Sequence, residues 1–327
     1  MSSNVIGAMS VAMTVRVRQQ GVALISVLLI FALATIIASE VASRTYRDIR
    51  KTANLINTKQ AYLYALAGEQ FARQLLFRDY KEEQNVHSDQ LTDNWATISE
   101  LFDIENGSMS IEIIDLQGRF NLNNMVSPTG VVNQQAIAQF QDLLNTLSIR
   151  SDYSPVLVDW LDSNTTPVAG GAEDEAYQQQ GYLTANQALA DRSELRLLKG
   201  FEFVDYEKLK PYVVALPYWV NDQEIGITKY NLNTLDAKII EAISDESATA
   251  IVARQEQGGY STVSQWISSG DIKSLISIKS QLDTKSQFFE LVVTAVYDER
   301  VSVIRSHLFR DNSDGSIKLL KRQQGVE

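Results

Sequence analysis

The chain has 327 residues, 45% of them hydrophobic, with 29 basic against 40 acidic side chains and a net charge of −11. That is material for one large domain or two to three ordinary ones, and the acidic balance argues against a nucleic-acid binder, whose affinity rests on neutralised phosphates. The absence of cysteine and the presence of only two histidines, His87 and His307, exclude disulfide frameworks and thiolate zinc sites and leave little for triads, so most enzyme classes that rely on His or Cys are not expected.

Residues Val22 to Ala38 form the first predicted element, an uncharged run polar only at Ser26 and Thr35. As a helix it spans roughly 26 Å, just enough for a bilayer core. Arg16 and Arg18 precede it, and no acidic residue occurs from Met1 to Gly21. This charge pattern places the N-terminus in the cytoplasm, although Arg44, Arg47, Arg50 and Lys51 follow on the other side. The helical pattern continues to about Phe77, with Gly68 as its one glycine and no proline. Ala42, Tyr46, Ile49, Ala53, Ile56, Leu63 and Leu66 recur at steps of mostly three and four, which predicts a buried stripe. An ordinary secretory signal, with Ala32-Leu33-Ala34 as its small-residue cleavage site, is the competing reading of the apolar run.

Next in chain order, Ser108–Phe120 alternates as a strand should. All five prolines fall between Pro128 and Pro217, marking a different unit in the middle of the chain. The C-terminus offers three more strands, Phe288–Tyr297, Val301–Phe309 and Ser316–Lys321. The fold class is therefore α+β: a long N-terminal helix packed on an antiparallel sheet, with a large α-helical domain inserted. The expected boundaries are 1–21 for a leader, 22–38 for the membrane part of the helix, and 39–121 for the first part of the helix-and-sheet domain. The insertion is expected over 122–284, and the C-terminal strands over 285–327.

The middle contains a repeat. Phe120-Asn121-Leu122-Asn123 recurs as Tyr230-Asn231-Leu232-Asn233, and the segment from Gly181-Tyr182 recurs as that from Gly259-Tyr260. On this alignment the first copy carries 32 extra residues (60 against 28 between Asn121–Gly181 and Asn231–Gly259). An evolved duplication accounts for the likeness, and the competing reading is that asparagine and threonine simply cap helices in both places. The second copy resembles a helix-hairpin-helix unit, which in many proteins grips DNA phosphates. Its connection, Ser244-Asp245-Glu246-Ser247-Ala248, has no glycine and two carboxylates, so DNA binding is not expected. The extra residues of the first copy bring Asp159, Asp162, Asn164, Glu173, Asp174 and Glu175 within 17 positions. Such a loop is either solvated or neutralised by a hard cation, Ca²⁺ above all. The carboxylate pair of a glycosidase is a remote alternative, because no sugar-stacking aromatic cluster accompanies it.

A basic leader, a Gly and an apolar run continuing into a long helix resemble the type IV pilin-like signal. That resemblance implies cleavage by a prepilin peptidase between Gly21 and Val22 and methylation of the new N-terminus. Val22 stands where most members have Phe, and Ser26 where most have Glu. With QGRFNLNN, DWLDSN…GGAEDEAY, SELRLLKGF and YNLNT in this order, the chain resembles the general secretion pathway protein K family, the minor pseudopilins of type II secretion. The resemblance implies a subunit at the tip of the pseudopilus that initiates assembly for export of folded proteins. Its implied partners are minor pseudopilins I and J, the major pseudopilin and the inner-membrane assembly platform. It also implies a single-pass inner-membrane location with the globular part in the periplasm of a Gram-negative bacterium. Calcium is implied at Asp162, Asn164, Glu173 and Asp174, with Asp159 and Glu175 as further candidates. Asn164 occupies a position where Asp is more usual. The alternative function is a membrane-anchored, pilin-like nucleic-acid binder acting through helix-hairpin-helix repeats.

Overall fold

The computed structural model describes residues 20–82, 88–98, 101–244, 246–271 and 273–325. Arg16, Arg18, His87 and Asp245 lie outside the described residues. The chain divides into two compact units between Asn57 and Thr58. Within the first, residues 20–57 belong to helix α1 (Gln20–Glu82). Side chains from Val22 to Ile56 are exposed, and the helix is long and apolar enough to cross a membrane. With no Pro and, after Gly21 in its first turn, only Gly68 in the way, it runs five residues beyond the expected Phe77.

In the second unit the chain continues through α2 (Asn94–Thr97), β1 (Leu101–Ile104), β2 (Gly107–Asp115) and β3 (Phe120–Asn121). Helices α3 (Gln134–Thr146), α4 (Tyr153–Leu161), α5 (Asp174–Tyr177) and α6 (Phe203–Leu209) follow, then β4 (Val213–Val214), β5 (Trp219–Val220), β6 (Gln223–Glu224) and β7 (Tyr230–Asn231). Helices α7 (Ala237–Ser244), α8 (Thr249–Gln255) and α9 (Val263–Ser269) lead to β8 (Leu282–Asp283), β9 (Phe288–Tyr297), β10 (Arg300–Arg310) and β11 (Ile317–Gln324). The sheet is antiparallel in the order β1-β2-β9-β10-β11, so the helical region is inserted between neighbouring strands β2 and β9. Strand β1 was not anticipated.

From residue 58 onward α1 buries a face different from the expected one. Ala61, Ala65, Ala72 and Leu76 are fully buried, while of the expected stripe Leu66 is half-buried against the sheet and Leu63 stays 47% exposed. Close approach explains the choice. A Cβ on Gly68 would lie 2.7 Å from Val293 Cγ1 and 2.8 Å from Met109 Sδ, so this face must be small. Leu63 therefore turns outward. Glu69, on the buried face, is held by Arg322 through a bidentate pair at 2.6 and 2.7 Å and by the Ser306 hydroxyl at 2.7 Å. Burial opposes ionisation there, but Arg322 and Ser306 outweigh it and keep this carboxyl below the usual range.

The insertion is a doubled unit around its own core, which includes Phe120, Phe140, Leu157, Trp160 and Trp266. Each copy opens on a two-residue strand, β3 or β7, and closes on a parallel partner, β4 or β8. In the first copy the Asn123 amide donates to the Leu189 carbonyl at 3.0 Å and accepts the Leu189 N–H at 2.9 Å. In the second, Asn233 does the same to Tyr260, at 2.9 and 2.7 Å. The equivalent of Tyr260 is thus Leu189, not Tyr182. The separations are 66 residues against 27, a difference of 39 in place of the expected 32. The next turn agrees: Asp191 and Glu194 form a capping box, as Thr262 and Gln265 cap α9.

Candidate functional site

Gly21 and Val22 lie in the first turn of α1, and the Ser26 hydroxyl donates to the Val22 carbonyl one turn back, at 2.9 Å. A serine in this place keeps its own polar group satisfied within the helix. A glutamate would carry a charge that needs a partner in the apolar segment.

The acidic loop begins where α4 stops. Asp162 adopts extended backbone (φ −77°, ψ 165°), and its Oδ1 accepts the Asn164 N–H at 3.0 Å and Nδ2 at 2.7 Å. Asn164 Oδ1 in turn accepts the Thr166 N–H at 2.8 Å. These consecutive side-chain turns reverse the chain without regular structure. Asp159, one turn earlier on α4, accepts the Val168 N–H at 3.0 Å on Oδ1. Gly171 lets the returning loop pass over it, because a Cβ there would sit 2.0 Å from Asp159 Oδ2. Asp174 Oδ1 accepts the Thr184 N–H at 3.1 Å and fixes the far side of the loop.

What remains is a set of buried oxygens without a well-formed hydrogen bond, Asp159 Oδ2, Asp162 Oδ2, both Glu173 oxygens, Thr184 Oγ1 and Asn186 Oδ1, although the Thr184 hydroxyl and the Ala172 N–H lie near enough to Glu173 and Asp159 to favour their charged forms. Asp159 is fully buried, and Asp162 and Glu173 are nearly so. Burial pushes the Asp159 and Glu173 carboxyls up, and neighbouring carboxylates add to this in both. Among the described residues no group of three or more acidic or histidine side chains is already placed to hold a metal ion. The unmatched oxygens nevertheless have the chemistry of a hard-cation site, because each orphaned group costs free energy that an oxygen-coordinated ion removes. Glu173, Asp174 and Glu175 also line a cleft of about 540 Å³ with Thr165 and Lys199. Asn164 and Glu175 are exposed, and the Asn164 carboxamide is engaged at both ends by its own loop. Thr184, beside Glu173, was missed in the sequence, where carboxylates drew attention and neutral oxygens did not.

Residues 118–218 match a family described as Type II secretion system (T2SS), protein K. The chain is 37% identical over 269 residues to type II secretion system protein K of Klebsiella pneumoniae, covering 77% of this chain and 79% of that one. It is 33% identical over 326 residues to the Pseudomonas aeruginosa protein K, covering 94% and 93%. The fold matches a chain in the crystal structure of the GspK-GspI-GspJ complex from enterotoxigenic Escherichia coli with a TM-score of 0.72. Identity there is 25%, over 85% of this chain and 100% of that one. The chain belongs to the type II secretion system protein K family. It is a minor pseudopilin: its role is to initiate pseudopilus assembly, and it is not an enzyme.

Proposed function

We propose that the chain acts at the tip of the pseudopilus, where α1 packs with the helices of minor pseudopilins I and J. The observation that carries this reading is the fold match to a chain solved in a GspK-GspI-GspJ complex. The outward residues Tyr46, Ile49, Ile56 and Leu63 give α1 an apolar surface for such neighbours. Prepilin peptidase cuts between Gly21 and Val22, the new N-terminus is methylated, and residues 22–38 stay in the inner membrane with the globular part in the periplasm. Ser26 fits a subunit with no neighbour above it, since no amine there needs a carboxylate. The major pseudopilin and the assembly platform then extend the fibre from this start.

Two experiments test the reading together. N-terminal sequencing of protein from membranes should begin at Val22, and the full mature chain in detergent should form a complex with I and J. A start at Thr35, or no complex, overturns it.

Calcium belongs to the same proposal. Asp159, Asp162 and Glu173 would hold the ion, with Thr184 offering a neutral oxygen. The ion supplies charge neutralisation, and the chain's own part is to fix the loop between α4 and α5. Nucleic-acid binding is disfavoured by the α7–α8 connection, which has no glycine and where the Glu246 carboxylate accepts the Ser274 N–H at 3.2 Å.

A further inference from the structure

Residues 216–228 form a hairpin whose base is clamped by the asparagines of the first repeat. Asn121 Oδ1 accepts the Leu216 N–H at 2.9 Å, and Asn123 Nδ2 donates to the Leu216 carbonyl at 2.9 Å. At the other end Asn124 donates to the Thr228 carbonyl at 2.7 Å and accepts its N–H at 3.0 Å. Within the clamp the side chains alternate. The Tyr218 hydroxyl points inward between the Asn123 and Val126 carbonyls, its one hydrogen shared by them. Val220 is 2% exposed in a core with Leu116, Phe288 and Phe309. Trp219 between them is 54% exposed. The turn, Asn221-Asp222, has positive φ at both residues (48° and 64°), the tight two-residue form that fixes register.

Trp219 is directly opposite Glu224 across the two strands, so both side chains leave the same face about 5 Å apart at Cβ. Glu224 and Asp222 are exposed, and among the described residues neither forms an ion pair. Many buried amide bonds therefore hold an indole and an unmatched carboxylate in one fixed place in solvent. An apolar partner covering Trp219 would strand the Glu224 charge, which is costly. A lysine or arginine satisfies both groups, its charge against the carboxylate and its cation over the indole face. A two-stranded face offers no enclosure for a small ligand, and tryptophan on a rigid support is the usual anchor of a protein interface. The net charge of −11 steers basic surfaces toward the chain.

We infer that the Trp219–Glu224 face docks a basic segment of a neighbouring pseudopilus subunit. The inference rests on the proposed place in the fibre, and its test separates the two. The photo-crosslinker p-benzoylphenylalanine is placed at position 219 of the full chain in secreting cells, with a control at exposed Ser313. The expected product is an adduct to one pseudopilus subunit on a peptide bearing Lys or Arg. With that subunit purified, Trp219→Ala and Glu224→Lys should each weaken binding about tenfold, Trp219→Phe much less, with melting curves unchanged. An adduct yield no higher than at position 313, an adduct on an acidic peptide or on lipid, or a Glu224→Lys chain that binds normally overturns the inference. Such a result with the I and J complex intact removes the hairpin's role alone. Loss of that complex in the unaltered chain removes the underlying reading instead.

Discussion

Asn233 treats Tyr260 as a paired strand would, donating to its carbonyl at 2.9 Å and accepting its N–H at 2.7 Å. Gly259 beside it has φ +59°, and a Cβ there would lie 2.5 Å from Asn233 Oδ1. The amide is fully buried, so no water replaces it. Asn233→Ala leaves both Tyr260 backbone groups without partners, at about 1–3 kcal/mol each. A loss of about 3–5 kcal/mol is expected, read in urea as a lower midpoint with unchanged slope.

The same pairing shows why the repeat was only half legible. Asparagine is required at the first contact, so positions 121, 123, 231 and 233 stood out. The second contact is made by backbone, which asks nothing of the side chain, so Leu189 and Tyr260 share no residue type. The likeness of the Gly181 and Gly259 segments drew the alignment to the wrong tyrosine. The long strands β9 and β10 were legible from alternation, whereas β1 has four residues with Asp103 among them. The stripe on α1 was misread for a related reason: periodicity finds large apolar residues, and this sheet accepts small ones. In the acidic loop the carboxylates were visible, but which were buried depended on how the loop folds back over α4.

Asp191 joins the insertion to the edge of the sheet, with Lys321 Nζ 2.6 Å from its Oδ2. Burial opposes its charge, but Lys321 and the Ser193 N–H outweigh burial and take the carboxyl down to about 2. A depressed folded-state value stabilises the fold above the unfolded value near 4, and the effect is lost as pH falls toward 2. Asp191→Asn should cost on the order of 2 kcal/mol at pH 7. The difference between the two chains should shrink progressively from about pH 4 to pH 2. Denaturant midpoints measured across that range give the comparison, and a gap that stays constant in acid would contradict the assignment.

Gly68 gives α1 its closest approach to the sheet. Alanine there gains about 1 kcal/mol of helix propensity but meets Val293 at 2.7 Å and Met109 at 2.8 Å. The methionine can yield, whereas the valine is fully buried in the centre of β9. Overpacking of this kind costs about 1–3 kcal/mol, so a net loss is expected for Gly68→Ala and a larger one for Gly68→Leu. Adding Val293→Ala to Gly68→Ala should cost less than Val293→Ala alone predicts. A double-mutant cycle from thermal melts gives the coupling.

The orphaned oxygens of the acidic loop make the calcium proposal quantitative. An ion that binds only the folded chain stabilises it by about 2.7 kcal/mol at one hundred times its dissociation constant. The melting temperature should therefore rise with added Ca²⁺ and fall again with chelator, and calorimetry should give the affinity directly. Asp159→Asn and Glu173→Gln should abolish the rise, since these charges are buried and Ca²⁺ favours charged oxygens. Thr184→Val should weaken binding while keeping shape, because it removes the neutral oxygen beside Glu173. Glu175→Gln, at an exposed position, should leave the affinity nearly unchanged. Without the ion the neutralised variants should be the more stable chains, since Asp159 and Glu173 then repel across a dry site. That inversion of order between calcium and chelator separates a metal site from a loop whose carboxylates merely face water, where the same variants would melt alike in both conditions.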